Sequence, residues 1–221
     1  MRFQDAAQDA RAITYATIQA EPVVARAAGL LADATLAQRV LARAVMNGET
    51  LDPDGWRTMF PTLFGPTVEP SVRERSEAIL TVSLAIADRG DQTRGQLRGA
   101  LVEALTVELL GRRSGAAGIR RERRILFDGV RAGIHPYDVT VERSGAAEAY
   151  DCKWGARGID ADVLNQLDDA RANAEAEEEP LRVALVVFDA ELSCRTRLER
   201  QTAVHDRTGL VTVESLGSLS S

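Results

Sequence analysis

Lysine is nearly missing from this chain: of its 27 basic residues, 26 are arginine and one, Lys153, is lysine. Arginine serves wherever a positive charge suffices, so the single lysine asks for a chemical reason. Cysteine is scarce too. Cys152 and Cys194 supply neither a disulfide framework nor a Cys-x-x-Cys metal pattern. The longest apolar stretch free of charge, Ala78 to Ala87, falls well short of the roughly 18 residues a membrane span requires. The first twenty residues carry Asp5, Asp9 and Arg11 and no apolar h-region, so no secretory signal is expected and the chain reads as cytoplasmic. No Walker A loop and no G-x-G-x-x-G occurs, which argues against a nucleotide-driven motor or a dehydrogenase.

What is present is ordinary in amount: 45% hydrophobic and 27% charged residues over 221 positions, enough for one good-sized domain or a compact domain with a helical appendage. The net charge of −6 argues at first against nucleic acid as a partner. Its distribution argues the other way. Arg112, Arg113, Arg120, Arg121, Arg123 and Arg124 fall within thirteen residues, while Glu175, Glu177, Glu178 and Glu179 gather elsewhere. A local basic patch grips phosphates whatever the total charge; the same arginines also read as a solvated loop and strand edge.

Residues 1–90 are expected to be all-helical, serving packing or dimerisation ahead of a DNA-binding appendage, with a homodimer as one outcome. Phe3 to Gln19 is rich in alanine, Glu21-Pro22 opens a second helix, and Leu36, Val40, Leu41, Ala44 and Val45 form an apolar stripe ended by Asn47-Gly48. Asp52-Pro53 is an N-cap with proline at the first helical position, Pro61 to Pro70 reads as a loop, and Ser71 to Arg89 as an apolar helix. Residues 91–221 change character. A helix over Gln92 to Leu110 precedes strand-like segments at Arg124–Phe127, His135–Glu142 and Ala146–Trp154. A polar helix (160–178), a continuous apolar strand (181–188), a basic helix (191–203) and a last strand (210–213) follow. This order describes an α/β sandwich around a mixed sheet.

A two-residue turn at Ser144-Gly145 would pair Glu142 with Ala147 and, in the same register, set Asp138 opposite Asp151. Directly opposed side chains share a face at roughly 5 Å. The strand period puts Lys153 beside Asp151 on that face, with Tyr137, Val139 and Val141 opposite Tyr150 and Cys152 on the other. Two carboxylates this close call for a cation between them, and Mg²⁺, with Mn²⁺ able to substitute, suits an oxygen site that keeps water. A nearby lysine positions water or stabilises charge on phosphorus. Cys152, pointing to the apolar face, reads as core.

His135-Pro136-Tyr137-Asp138 followed by Asp151-Cys152-Lys153 resembles the PD…(D/E)XK signature of the restriction-endonuclease-like nucleases. Gly99-Ala100-Leu101-Val102-Glu103 is similar to the G-x-x-x-E pattern of the preceding helix in many members. The resemblance covers about residues 92 to 215 and implies an αβββαβ core. It implies Asp138, Asp151 and Glu103 as metal ligands, Lys153 as the catalytic lysine, and a Mg²⁺-dependent hydrolase of phosphodiester bonds. DNA is expected before RNA as substrate, with 5′-phosphate products and an endonuclease as the first expectation. Tyr137 separates the proline from Asp138, a departure from the pattern. Gln166 matches the start of a Q-x-x-x-Y motif whose tyrosine position holds Ala170, so only a weak nucleic-acid-binding role carries over. Glu108 is a rival to Glu103. A non-catalytic nucleic-acid-binding or assembly module and a helical adaptor remain as alternatives.

Overall fold

The computed structural model of the chain describes residues 1–7, 10–114, 117–131, 135–143, 145–201 and 209–221. Two compact units emerge: Met1–Ala12 with Leu109–Ser221, and Ile13–Glu108. The helical unit is thus inserted between the first strand and the rest of the sheet.

The first unit carries a mixed sheet. Its strands are β1 (Arg2–Asp5), β2 (Ile119–Phe127), β3 (Val130–Arg131), β4 (Tyr137–Val141), β5 (Ala147–Lys153), β6 (Leu181–Val187) and β7 (Gly209–Val211). The order is β1-β2-β4-β5-β6-β7, with β3 pairing β2. Pairs from β1 to β5 are antiparallel, whereas β5–β6 and β6–β7 are parallel. A parallel neighbour needs a crossover, and α8 (Ala161–Ala176) supplies it between β5 and β6, its first turn capped by Asp160, which accepts the Val163 N–H at 3.0 Å. Val163, Leu164, Leu167, Ala170 and Ala174 of α8 pack with Ala149, Val183, Leu185 and Val187 of the sheet and with Cys194 and Leu198 of α9 (Glu191–Glu199). Residues 183–187 of β6 are all buried, which is why the strand reads as an unbroken apolar run.

The second unit is helical: most of α1 (Ala10–Gln19), then α2 (Pro22–Ala32), α3 (Leu36–Asn47), α4 (Pro53–Met59), α5 (Pro61–Phe64), α6 (Pro70–Ala87) and the larger part of α7 (Asp91–Ser114). Its caps are local chemistry. Thr35 and Gln38 form a capping box at α3, and Asp52 accepts the N–H groups of Asp54 and Gly55 at α4. Gln38 also reaches Ser76 of α6 at 3.1 Å, a buried polar tie across a core of Leu31, Leu41, Val45, Ile79 and Leu80.

Several expectations are corrected. Arg2–Asp5 is a strand on the edge of β2, not helix; pairing with residues 123–126 overrides the local alanine-rich preference. Residues 61–64 form a helical turn where a loop was expected, with Pro61 at its first position. The arginines at 120–124 lie within β2 instead of a preceding loop, and α7 runs past Gly111 to Ser114. On α3, Leu36 and Val40 are exposed, while Leu41, Ala42, Val45 and Met46 face the core. The basic helix stops at Glu199; His205 and part of the expected helix end lie outside the described residues, as does Ser144.

Candidate active site

The hairpin register is the expected one: Val139 pairs with Tyr150, Thr140 with Ala149 and Val141 with Glu148, so its continuation sets Asp138 against Asp151. There the strands part. Past the last pair, the Cys152 N–H is taken by Asp138 Oδ2 at 2.6 Å. The carboxylate therefore sits at the split between β4 and β5, anchored by backbone. Asp151, on β5, is 5% exposed and forms an ion pair with the Lys153 ammonium. Burial pulls the Lys153 pKa down, but the charges of Asp151 and Asp138 outweigh it and hold the amine above its ordinary value. Lys153 is thus an ammonium at neutral pH. The ammonium is a hydrogen-bond donor and a compact point charge.

The turn after β5 backs the lysine. A β-carbon on Gly158 would stand 3.2 Å from Cβ, Cγ and Cδ of Lys153, so the glycine lies close against the aliphatic stem. Asp189, buried at the end of β6, fixes that turn by accepting the Ala156 N–H at 3.0 Å and the Ala190 N–H at 2.7 Å. Trp154 stacks on Phe188 with ring centroids 5.1 Å apart.

Tyr137 departs from the expected face. It packs with Ala149, Ile125, Phe127 and the apolar side of α8, and its hydroxyl donates to the Gln166 carbonyl at 3.1 Å. The ladder to β2 is interrupted beside it. Arg121 pairs with Val139 and Arg123 with Tyr137, but the pair between them, Glu122 and Asp138, is skipped, and Glu122 has φ +53°. A non-glycine residue in that region costs of order 1–3 kcal/mol and interrupts regular alternation. It also brings a Glu122 carboxylate oxygen within 4.8 Å of one from Asp138. Glu122 was not among the sequence candidates. Its only signal is an acid set between two pairs of arginines, a pattern that reads as a solvated charge run.

In the helical unit, Glu103 of α7 is buried, its Oε1 accepting from Tyr15 Oη at 2.5 Å and Oε2 from Gln19 Nε2 at 2.6 Å, while Glu108 on the same helix is exposed. Gln166 is buried under β4: its Oε1 accepts the His135 N–H at 3.1 Å, and its Nε2 has no partner among the described residues. The arginines divide. Arg113 pairs with Glu148 at 2.6 Å; Arg123 pairs with Glu142 at 2.6 Å and with Asp5. Arg112 and Arg120 are exposed, and Arg121 and Arg124 are half-buried. Cys152 and Cys194 are buried and form no disulfide with each other.

The arrangement offers hard oxygen donors beside one fixed ammonium, which suits a divalent cation and an anionic substrate. No helix among the described residues is long and apolar enough to cross a membrane. Searches of protein-family models, curated proteins and solved structures find no match to the chain.

Proposed function

We propose that this chain is a divalent-metal-dependent nuclease of the PD-(D/E)XK type, acting on DNA. The observation that carries the reading is the hairpin split, where Asp138, Asp151 and the only lysine of the chain converge. The succession α7, β2, β4, β5, α8, β6 supports it, with an antiparallel β2–β4–β5 meander and a parallel β5–β6 pair. The minor strand β3 interrupts that succession as a short partner of β2.

Asp138 and Asp151 would hold the cation. Glu103 joins them on its Gly-x-x-x-Glu pattern alone, and Glu122 on its closeness to Asp138. Carboxylates are the donors Mg²⁺ and Mn²⁺ favour, and the bound ion would lower the pKa of water and draw charge from the phosphoryl oxygens. The protein's own part is positioning. Asp138 is locked by the Cys152 N–H, and Lys153 would donate hydrogen bonds to water or to a phosphoryl oxygen from a stem backed by Gly158. The exposed Arg112 and Arg120, with Arg121 and Arg124, would contact flanking phosphates.

Cleavage of plasmid, linear, branched and single-stranded DNA and of RNA, each with Mg²⁺ or Mn²⁺, tests this. Metal-dependent cutting lost in Lys153→Ala supports the nuclease. Binding of a labelled oligonucleotide in Ca²⁺ without any cutting would replace it by a nucleic-acid-binding module, and neither binding nor cutting by a protein adaptor.

A further inference from the structure

Two residue pairs, each spaced by one helical turn, meet in the helical unit: Tyr15 and Gln19 on α1, Gly99 and Glu103 on α7. Residues four apart lie on one face of a helix, so the pairs can engage as sets. Glu103 is 3% exposed, and each of its carboxylate oxygens has its own donor, the Tyr15 phenol at 2.5 Å and the Gln19 amide at 2.6 Å. Donors on both oxygens fix the rotation of the carboxylate plane. Gly99 makes room for this: a β-carbon there would stand 3.1 Å from Tyr15 Oη, tighter than ordinary contact. The glycine of the Gly-x-x-x-Glu pattern is thus the space that admits the phenol to the glutamate one turn on.

We propose that Tyr15 and Gln19 are positioning residues that hold Glu103 in the orientation of a metal ligand. The inference rests on the reading of the chain as a metal-dependent nuclease. A carboxylate oxygen accepts from more than one direction, so a hydrogen bond does not bar it from ligating a cation. Partners that orient a ligand are typically worth about 10- to 100-fold in metal affinity. Mg²⁺ demands near-ideal octahedral geometry, whereas Ca²⁺ tolerates a loose one. Loss of orientation therefore weakens Mg²⁺ binding more than Ca²⁺ binding, and the melting controls separate it from a general loosening of the fold.

Titration calorimetry of the full chain with Mg²⁺ and with Ca²⁺ tests this on wild type, Tyr15→Phe, Gln19→Leu, Glu103→Gln and the double variant Tyr15→Phe/Glu103→Gln, with circular dichroism and melting as controls for folding. Tyr15→Phe is expected to lose about tenfold in Mg²⁺ affinity and distinctly less in Ca²⁺ affinity. Added to Glu103→Gln, it should change nothing further, since it acts through that carboxylate. Gln19→Leu gives the same pattern and serves if Tyr15→Phe does not fold. Equal losses for both metals, or a full additional loss in the double variant, overturn the positioning role. Wild-type affinity in Glu103→Gln overturns it as well, while leaving a metal site at the hairpin. No Mg²⁺ binding by the wild type overturns the nuclease reading itself.

Discussion

Asp138 accepts the Cys152 N–H at 2.6 Å in the gap where β4 and β5 separate. One carboxylate thus closes a ladder and offers a negative charge, and substitution can separate the two roles. Asp138→Asn keeps an acceptor for the N–H and should melt close to wild type, whereas Asp138→Ala leaves the donor unmatched and should lose about 1–3 kcal/mol. Both should lose Mn²⁺ binding in titration calorimetry. Retained binding in the asparagine form would remove the metal from this split.

Lys153→Arg keeps the charge but replaces a compact ammonium by a planar fork on a stem already in contact with Gly158. Cleavage should fall on the order of 10²-fold while Mn²⁺ binding persists. Near-normal cleavage by both Lys153→Arg and Lys153→Ala would end a catalytic role; activity in the arginine form alone would make the residue an electrostatic stabiliser.

Because Lys153 is held above its ordinary pKa, the stability it contributes is fully present below about pH 10.4 and is lost as pH rises past that value. The melting deficit of Lys153→Met should therefore be constant between about pH 6 and 9 and shrink at higher pH. A deficit that changes with pH in the neutral range would mean that another group titrates against the lysine.

Glu148 has the opposite sign. Burial raises its pKa, but the Tyr150 hydroxyl and Arg113 outweigh burial and leave it below the usual carboxylate value. Its contribution is present above about pH 4.3 and disappears as pH falls through the depressed value. Urea midpoints should show Glu148→Gln less stable than wild type near neutrality, with the two converging in acid.

The arginines of residues 112–124 should separate by their partners. Arg120→Gln, at an exposed position, should lower the slope of binding against log salt by about one unit without changing the melt. Arg123, paired with Glu142 and Asp5, should behave the other way, with a lower melting temperature and little change in slope. An unchanged slope for Arg120→Gln together with Arg121→Gln would make the run a solvated surface.

Much of the sheet unit was legible because its signals are local. Period-two alternation and a glycine turn set the β4–β5 register, and an apolar run marks a strand covered on both faces. β1 was not legible, since Arg2-Phe3-Gln4-Asp5 has one large apolar residue and takes its partner from residues 123–126. Glu122 was missed for a different reason: nothing in a run of charged residues marks a glutamate that adopts φ +53°.

The insertion of residues 13–108 between β1 and the rest of the sheet bears on the order of folding. As the chain leaves the ribosome, β1 emerges ahead of the helices and lacks its partner until β2 appears, more than a hundred residues later. The helices between them form a compact unit that is contiguous in sequence. N-terminal regions generally fold first during synthesis, and closing a long loop costs entropy that local contacts avoid. In pulse-labelled refolding, amides of Leu41 and Ile79 should gain protection before that of Ile125, with Phe3 among the last.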